Sequence, residues 1–266
     1  MKKILIVGLG GTIACKKESN ISLSDNPFRI LEYYDNKSEF EFEFASPFSI
    51  LSENLCFENF EKIKSYFDSL DFNNYSSVFI LHGSDTLAFT AAFLFNLYPH
   101  EKIILIAAGK PPGEQDSNAV SNFSRAVSFT KSGFSGVWVS YDAMIKASEI
   151  TSADENDCFI SISSNSKPAA HPVLKRKNIL IIKPYPAINY DNYNLSAVDC
   201  VLHSMYHSAT VGEKTKLFAQ KCKTLSIPHY FVTAKDKLEY SSSGGIKNVF
   251  FKTTLEDAFS KLLLTN

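Results

Sequence analysis

The chain has 266 residues, 45% of them hydrophobic, with 27 basic against 28 acidic side chains. That is enough apolar material for one large core or two modest ones. The near-cancelling charge, with no basic cluster beyond Lys175-Arg176-Lys177, argues against nucleic acid or an anionic membrane as the main partner. The five cysteines (Cys15, Cys56, Cys158, Cys200 and Cys222) are odd in number, scattered and never in C-x-x-C spacing. They read as thiols of a reducing cytoplasm and speak against a structural zinc site; no metal and no cofactor is expected.

The amino terminus has the outline of a secretory or lipoprotein leader: two lysines, an apolar stretch, then small residues before Cys15. The apolar part is only Ile4 to Val7, and Thr12 stands where a lipoprotein leader wants an aliphatic residue. The leader is therefore not expected, and no other stretch approaches the ~18 apolar residues of a membrane span.

In chain order, "KILIVGL" (3–9), "SVFILHG" (77–83), "KIILIAA" (102–108) and "GVWVSY" (136–141) are short apolar runs that predict buried strands. Between them, 57–70, 86–98 and 118–132 carry apolar residues at three and four spacing, which predicts helices. "FEFEFAS" (40–46) alternates cleanly and predicts an edge or half-exposed strand. Apolar strands separated by helices imply a parallel sheet covered on both faces. Around 164–178 the pattern dissolves into small residues, prolines and charge, and then the rhythm restarts through 179–266. The expectation is an α/β amino-terminal domain over 1–165, a linker at 166–177 and a smaller α/β carboxy-terminal domain over 178–266.

Two seams carry chemistry. The first strand runs into Gly8-Leu9-Gly10-Gly11-Thr12. A dinucleotide turn would need a third glycine where Ile13 stands, and an acidic strand end about 20 residues on, where Asp35 lies in a poor context. Gly10-Gly11 instead lets the backbone turn sharply and present the Thr12 hydroxyl among free N–H groups, a geometry for nucleophilic attack with oxyanion stabilisation. At the second seam, His82-Gly83-Ser84-Asp85-Thr86 separates a buried strand from a helix. Ser84 and Asp85 there are either helix caps or ligand-facing groups, since open α/β sheets bind ligands outside the carboxyl ends of their strands.

"GGTIA" followed some 70 residues later by "HGSDT" resembles the paired signature of the bacterial asparaginase and glutaminase family. "AGKPPGEQDSNAVSNFSRAV" (108–127) and the tail from Leu238 are also similar to family segments. The resemblance implies an asparaginase-like α/β fold: a large parallel-sheet amino-terminal domain and a smaller carboxy-terminal one, often assembled as a homo-oligomer, dimer or tetramer. It implies Thr12 as nucleophile on a side-chain amide, with Gly11 in the substrate-holding turn, and Ser84 and Asp85 assisting proton transfer. Ser84 in place of the family's threonine keeps the hydroxyl. "SILSENLCF" resembles the family's substrate clamp, which puts Ser52 and Glu53 near the substrate's α-groups, where a carboxylate suits an ammonium.

Departures weigh against this. The family lysine would fall at Ile150 or Ser152, and Lys146 is the nearest lysine. The loop "CKKESNISLSDN" lacks the family's lid tyrosine, with Tyr33 and Tyr34 coming later. A glycine-rich family segment is replaced by "HSMYHSATVGE", where His203 and His207 would share a face if helical, but lack the third ligand a metal normally wants. Two functions follow. One is a cytoplasmic amidohydrolase that frees ammonia from asparagine or a related small amide. The other is a hydrolytically impaired relative that binds an amino acid or amide metabolite as a sensor or partner subunit.

Overall fold

A computed structural model describes residues 2–35 and 40–265. The chain divides into two compact units, Met1–Ser161 and Ile162–Asn266.

The first unit is built on β1 (Lys3–Gly8), β2 (Cys15–Lys17), β3 (Ile21–Leu23), β4 (Glu41–Ala45), α1 (Phe57–Asp68) and β5 (Ser77–Leu81). It continues through α2 (Leu87–Leu97), β6 (Ile103–Ile106), α3 (Ala119–Thr130), β7 (Val137–Tyr141) and β8 (Ala143–Lys146). Six strands form one sheet in the order β4-β1-β5-β6-β7-β8, parallel except for the antiparallel last pair. The strands lack polar alternation because both faces are covered. Ile4, Ile6, Phe79 and Leu81 join a cluster with Phe123 and Val127 of α3. Leu5, Val7, Val78 and Ile80, on the other face by the period of two, are equally buried. Only β4 alternates, and it lies at the sheet edge as its pattern predicts.

Two elements of this unit were not legible. The loop "CKKESNISLSDN" contains a β2–β3 hairpin with Cys15 opposite Leu23. After β7 the chain reverses at Asp142, which takes a φ of 51°, and β8 pairs back along β7. Aspartate is one of the few side chains that tolerates that left-handed backbone. The parallel order places β4 on one side of β1 and β5 on the other, so the connection leaving β1 and the connection leaving β5 run in opposite directions from this point. That is the switch point at which such sheets hold ligands.

The second unit is a four-stranded parallel sheet, β12-β11-β10-β9, made of β9 (Ile179–Ile182), β10 (Cys200–Ser204), β11 (His229–Val232) and β12 (Val249–Phe250). Its helices are α4 (Glu213–Thr224) and α5 (Leu255–Leu263). Phe218 and Cys222 of α4 pack with Val201 and Ile182, while Ala258 and Leu262 of α5 pack with Cys200 and Leu202. The stretch 166–177 has neither helix nor strand, yet it is tied within this unit. Val173 and Lys175 N–H groups donate to the Leu264 and Leu263 carbonyls, each at 2.9 Å, and Ser166 bonds Asp257 and Lys261.

The paired histidines do not share a helix. His203 is fully buried on β10, and His207 is exposed in the turn beyond it. The His203 Nδ1–H donates to the Ser204 carbonyl at 2.7 Å, so its Nε2 accepts from the Tyr190 hydroxyl at 2.8 Å, and Tyr190 in turn accepts from Thr215 at 2.7 Å. His229 stacks on Phe231 with ring centroids 4.6 Å apart, and neither of its buried ring nitrogens has a hydrogen-bond partner. Burial pushes both imidazoles down, His203 to about 4 and His229 to about 3. Among the described residues no group of three or more His, Cys, Asp or Glu is placed to hold a metal ion.

Candidate active site

The site begins where β1 leaves the sheet. The Leu9 N–H donates to the Leu81 carbonyl, the Ile50 N–H to the Leu9 carbonyl, and the Gly11 N–H to the Ile50 carbonyl, at 2.9 to 3.1 Å. The chain after β1 is thereby wedged between the segments that follow β4 and β5. Only glycine fits this wedge. Gly10 and Gly11 take φ values of 102° and 75°, and a Cβ on Gly11 would overlap the Gly83 backbone while one on Gly10 would overlap Ile50. A β-carbon on Gly83 would strike the Ser52 side chain and come within 3.0 Å of the Gly11 Cα.

These three glycine contacts draw three distant segments into one place. Thr12 and Ser84, each partly buried, follow the touching glycines directly. With consecutive Cα atoms about 3.8 Å apart, their Cα positions lie within about 12 Å of each other. Behind Thr12 a 3-10 turn (Thr12–Ala14) forms. The Gly11 carbonyl accepts from the Ala14 N–H at 2.9 Å and from the Cys15 thiol at 3.3 Å. Burial, and secondarily the Glu53 carboxylate, push that thiol up and keep it a donor.

Ser52 is 4% exposed and clasped on both ends. Its hydroxyl donates to Asp85 Oδ2 at 3.0 Å, and its carbonyl accepts from the Thr86 hydroxyl at 3.0 Å. These bonds engage Asp85 and Thr86 with Ser52. Thr86 is the N-cap of α2, yet its side chain makes no capping bond, because the Thr86 hydroxyl, like the Asp85 carboxylate, is turned to Ser52. The same contacts dispose of the dinucleotide turn: a pyrophosphate site needs a helix opening after β1, and here a three-residue turn leads into a hairpin. Glu53 stands exposed in the 3-10 turn Ser52–Asn54.

The hydroxyls and carboxylates Thr12, Ser52, Glu53, Ser84 and Asp85 therefore come from loops at the carboxyl ends of β1, β4 and β5. Lys146 does not join them. It pairs with Trp138 on β8, near the amino end of β7, where its ammonium lies 5.9 Å from the Trp138 ring centroid and 3.7 Å from Glu149. A cavity of 220 Å³ lined by Phe72, Tyr75, Ser77 and Lys102 also opens at the amino ends of the strands, away from the hydroxyl groups. Three contributors had no role from sequence: Thr86, Cys15 and His82. Spacing held one clue, since Thr90, eight residues past His82, sits in the first turn of α2 and reaches back to the strand end.

Fold and site together define a doubly covered parallel α/β protein with hydroxyl and carboxylate groups gathered at the switch point of its sheet. The asparaginase amino-terminal domain model matches residues 3–179, and the chain belongs to the asparaginase family. A curated L-asparaginase of Thermococcus kodakarensis is 28% identical over 145 residues, 52% of this chain and 44% of that protein; the match spans less than half the length of that relative. The fold is shared with the crystal structure of L-asparaginase I from Vibrio cholerae (TM-score 0.78, 19% identity, 99% of this chain and 92% of that one). It is shared too with a probable cytoplasmic L-asparaginase from Campylobacter jejuni (TM-score 0.72, 17% identity, 99% and 94%).

Proposed function

We propose that the chain is an amidohydrolase that releases ammonia from asparagine or a related small side-chain amide, with Thr12 as nucleophile. The observation that carries this reading is the convergence of Gly11, Gly83 and Ser52, with Ser52 bonded to Asp85. It sets three hydroxyl-bearing loops and two carboxylates around the sheet's switch point.

In this mechanism the Thr12 Oγ attacks the amide carbon, the carbonyl oxygen takes the negative charge against backbone N–H groups of the glycine turns, and the Thr12 proton passes to the leaving nitrogen. Ammonia departs, and water cleaves the resulting ester to return Thr12 and a free carboxylic acid. Gly11 shapes the substrate turn, Ser52 and Glu53 hold the amino acid's α-groups, and Ser84 and Asp85 assist proton movement. With Lys146 at the far end of the strands, Asp85 works without that cation, which predicts a slow enzyme.

The test is ammonia release from a panel of free amides, run beside Thr12→Ala. A loss of at least about 10³-fold in kcat with unchanged thermal unfolding is expected. Equal activity in the variant removes Thr12 from its role. A wild-type chain silent toward every amide, yet binding aspartate, moves the assignment to an amino-acid sensor.

A further inference from the structure

Gly83, which meets Gly11 at the centre of the site, has its carbonyl held from behind. His82 is 2% exposed, and its backbone N–H is fixed to the Ile106 carbonyl at 3.0 Å. Its ring Nδ1 lies 2.8 Å from the Gly83 carbonyl oxygen. A carbonyl only accepts, so Nδ1 carries the proton. The bare Nε2 then accepts from the hydroxyl of fully buried Thr90, 2.9 Å away on α2.

Both ring nitrogens are thus assigned by their partners, and the ring is anchored to a buried helix. Burial keeps it neutral, holding it down to about 4 against the Gly83 carbonyl and the Asp85 charge, which pull the other way. No cis peptide occurs among the described residues, so the C=O of the Gly83–Ser84 peptide and the Ser84 N–H point in opposite directions. With the carbonyl pinned to the ring, the Ser84 N–H is turned to the other side.

The geometry points to His82 as a positioning residue of this site: anchored on Thr90, its Nδ1–H sets the plane of the Gly83–Ser84 peptide, and with it the direction of the Ser84 N–H and the seats of Ser84 and Asp85. The ring itself takes no proton from substrate, since both nitrogens are occupied. This inference rests on the amidohydrolase reading for its kinetic test.

The two amide substitutions at this position separate the two bonds. His82→Asn places a donor where Nδ1 stands and gives up Thr90, whereas His82→Gln reaches the Nε2 position and leaves the Gly83 carbonyl unpaired. In ammonia release, kcat is expected to fall about tenfold in H82Q and less than about threefold in H82N, with KM within about twofold in both. Equal kcat losses in the two variants, following their unfolding temperatures, overturn the inference while the function stands. Should either variant fail to fold, Thr90→Val is the second probe. Freeing Nε2 loosens the ring, and an expected kcat loss of about threefold supports the anchoring, while none overturns it. A readout independent of activity is the histidine ring nitrogen spectrum of the wild-type chain. His82 is expected as the Nδ1–H tautomer, unprotonated at Nε2 and without titration from pH 8 to 5. A wild type that releases no ammonia sinks the function alone, whereas an Nε2–H or charged His82 sinks the positioning role whatever the activity.

Discussion

His82 in the first unit and His229 in the second are both imidazoles shut away from water at a parallel strand, and they differ in what surrounds their nitrogens. His82 has an acceptor on one side and a donor on the other. His229 has aromatic faces, Phe231 at 4.6 Å and Phe218 at 5.8 Å, and no polar partner. Burial alone makes a histidine neutral; only partners make it directional. The carboxyl edge of the first sheet spends its buried polar groups on orienting loops, while the β10–β11 face of the second holds an aromatic layer with a polar chain, Thr215 to Tyr190 to His203, along one side.

Acid is the strongest way to break this contrast. In the unfolded chain these rings titrate near 6.5, but folded His82 and His203 take protons only near 4 and His229 near 3. Between those values the unfolded chain binds more protons. Their contribution is therefore complete above about pH 6.5 and is lost as pH falls toward 4 and then 3. At about 1.4 kcal/mol per unit, that is about 3 kcal/mol for each of the first two and about 5 for His229. Urea unfolding from pH 7 to 4 is expected to show the loss. His229→Phe removes two unpaired nitrogens, so it is expected to raise stability at pH 7 by about 1 kcal/mol or more and to flatten the acid limb. An unchanged limb in that variant denies His229 its part.

A smaller effect sharpens the site side of the comparison. Ser52→Ala frees the Asp85 carboxylate of its 3.0 Å partner and is expected to weaken aspartate binding, read by calorimetry, about tenfold, the worth of one hydrogen bond to a charged group. Affinity within about twofold of wild type would mean that the bond is only structural. The smallest effect belongs to Lys146→Ala. With the ammonium against Trp138 and Glu149, ammonia release is expected to change less than about twofold, and a tenfold loss would return Lys146 to the site.

Much of the architecture was legible because burial is periodic. The unbroken apolar runs at β1, β5 and β6 demand cover on two faces, and 57–70 and 118–132 carry the three-and-four spacing of α1 and α3. The alternating β4 announced its edge position. Gly10 and Gly11 were legible as a sharp turn because few other residues adopt those φ values. The short hairpin and β8 were not, since three or four half-exposed residues carry no period, and the reversal at Asp142 reads as an ordinary loop.

By itself, then, the sequence determined the long strands and helices of the first unit, the parallel character of its sheet and the two glycine-marked seams, because these follow from local backbone preference and from how many faces a segment must hide. Only the tertiary structure decided that Ser52 clasps Asp85 in place of a helix cap, that Lys146 stands at the wrong end of its strand, and that His82 grips Gly83. Each of these depends on which strands lie side by side and which way they run. Sheet order is settled by packing between segments far apart in the chain, and no local pattern carries it.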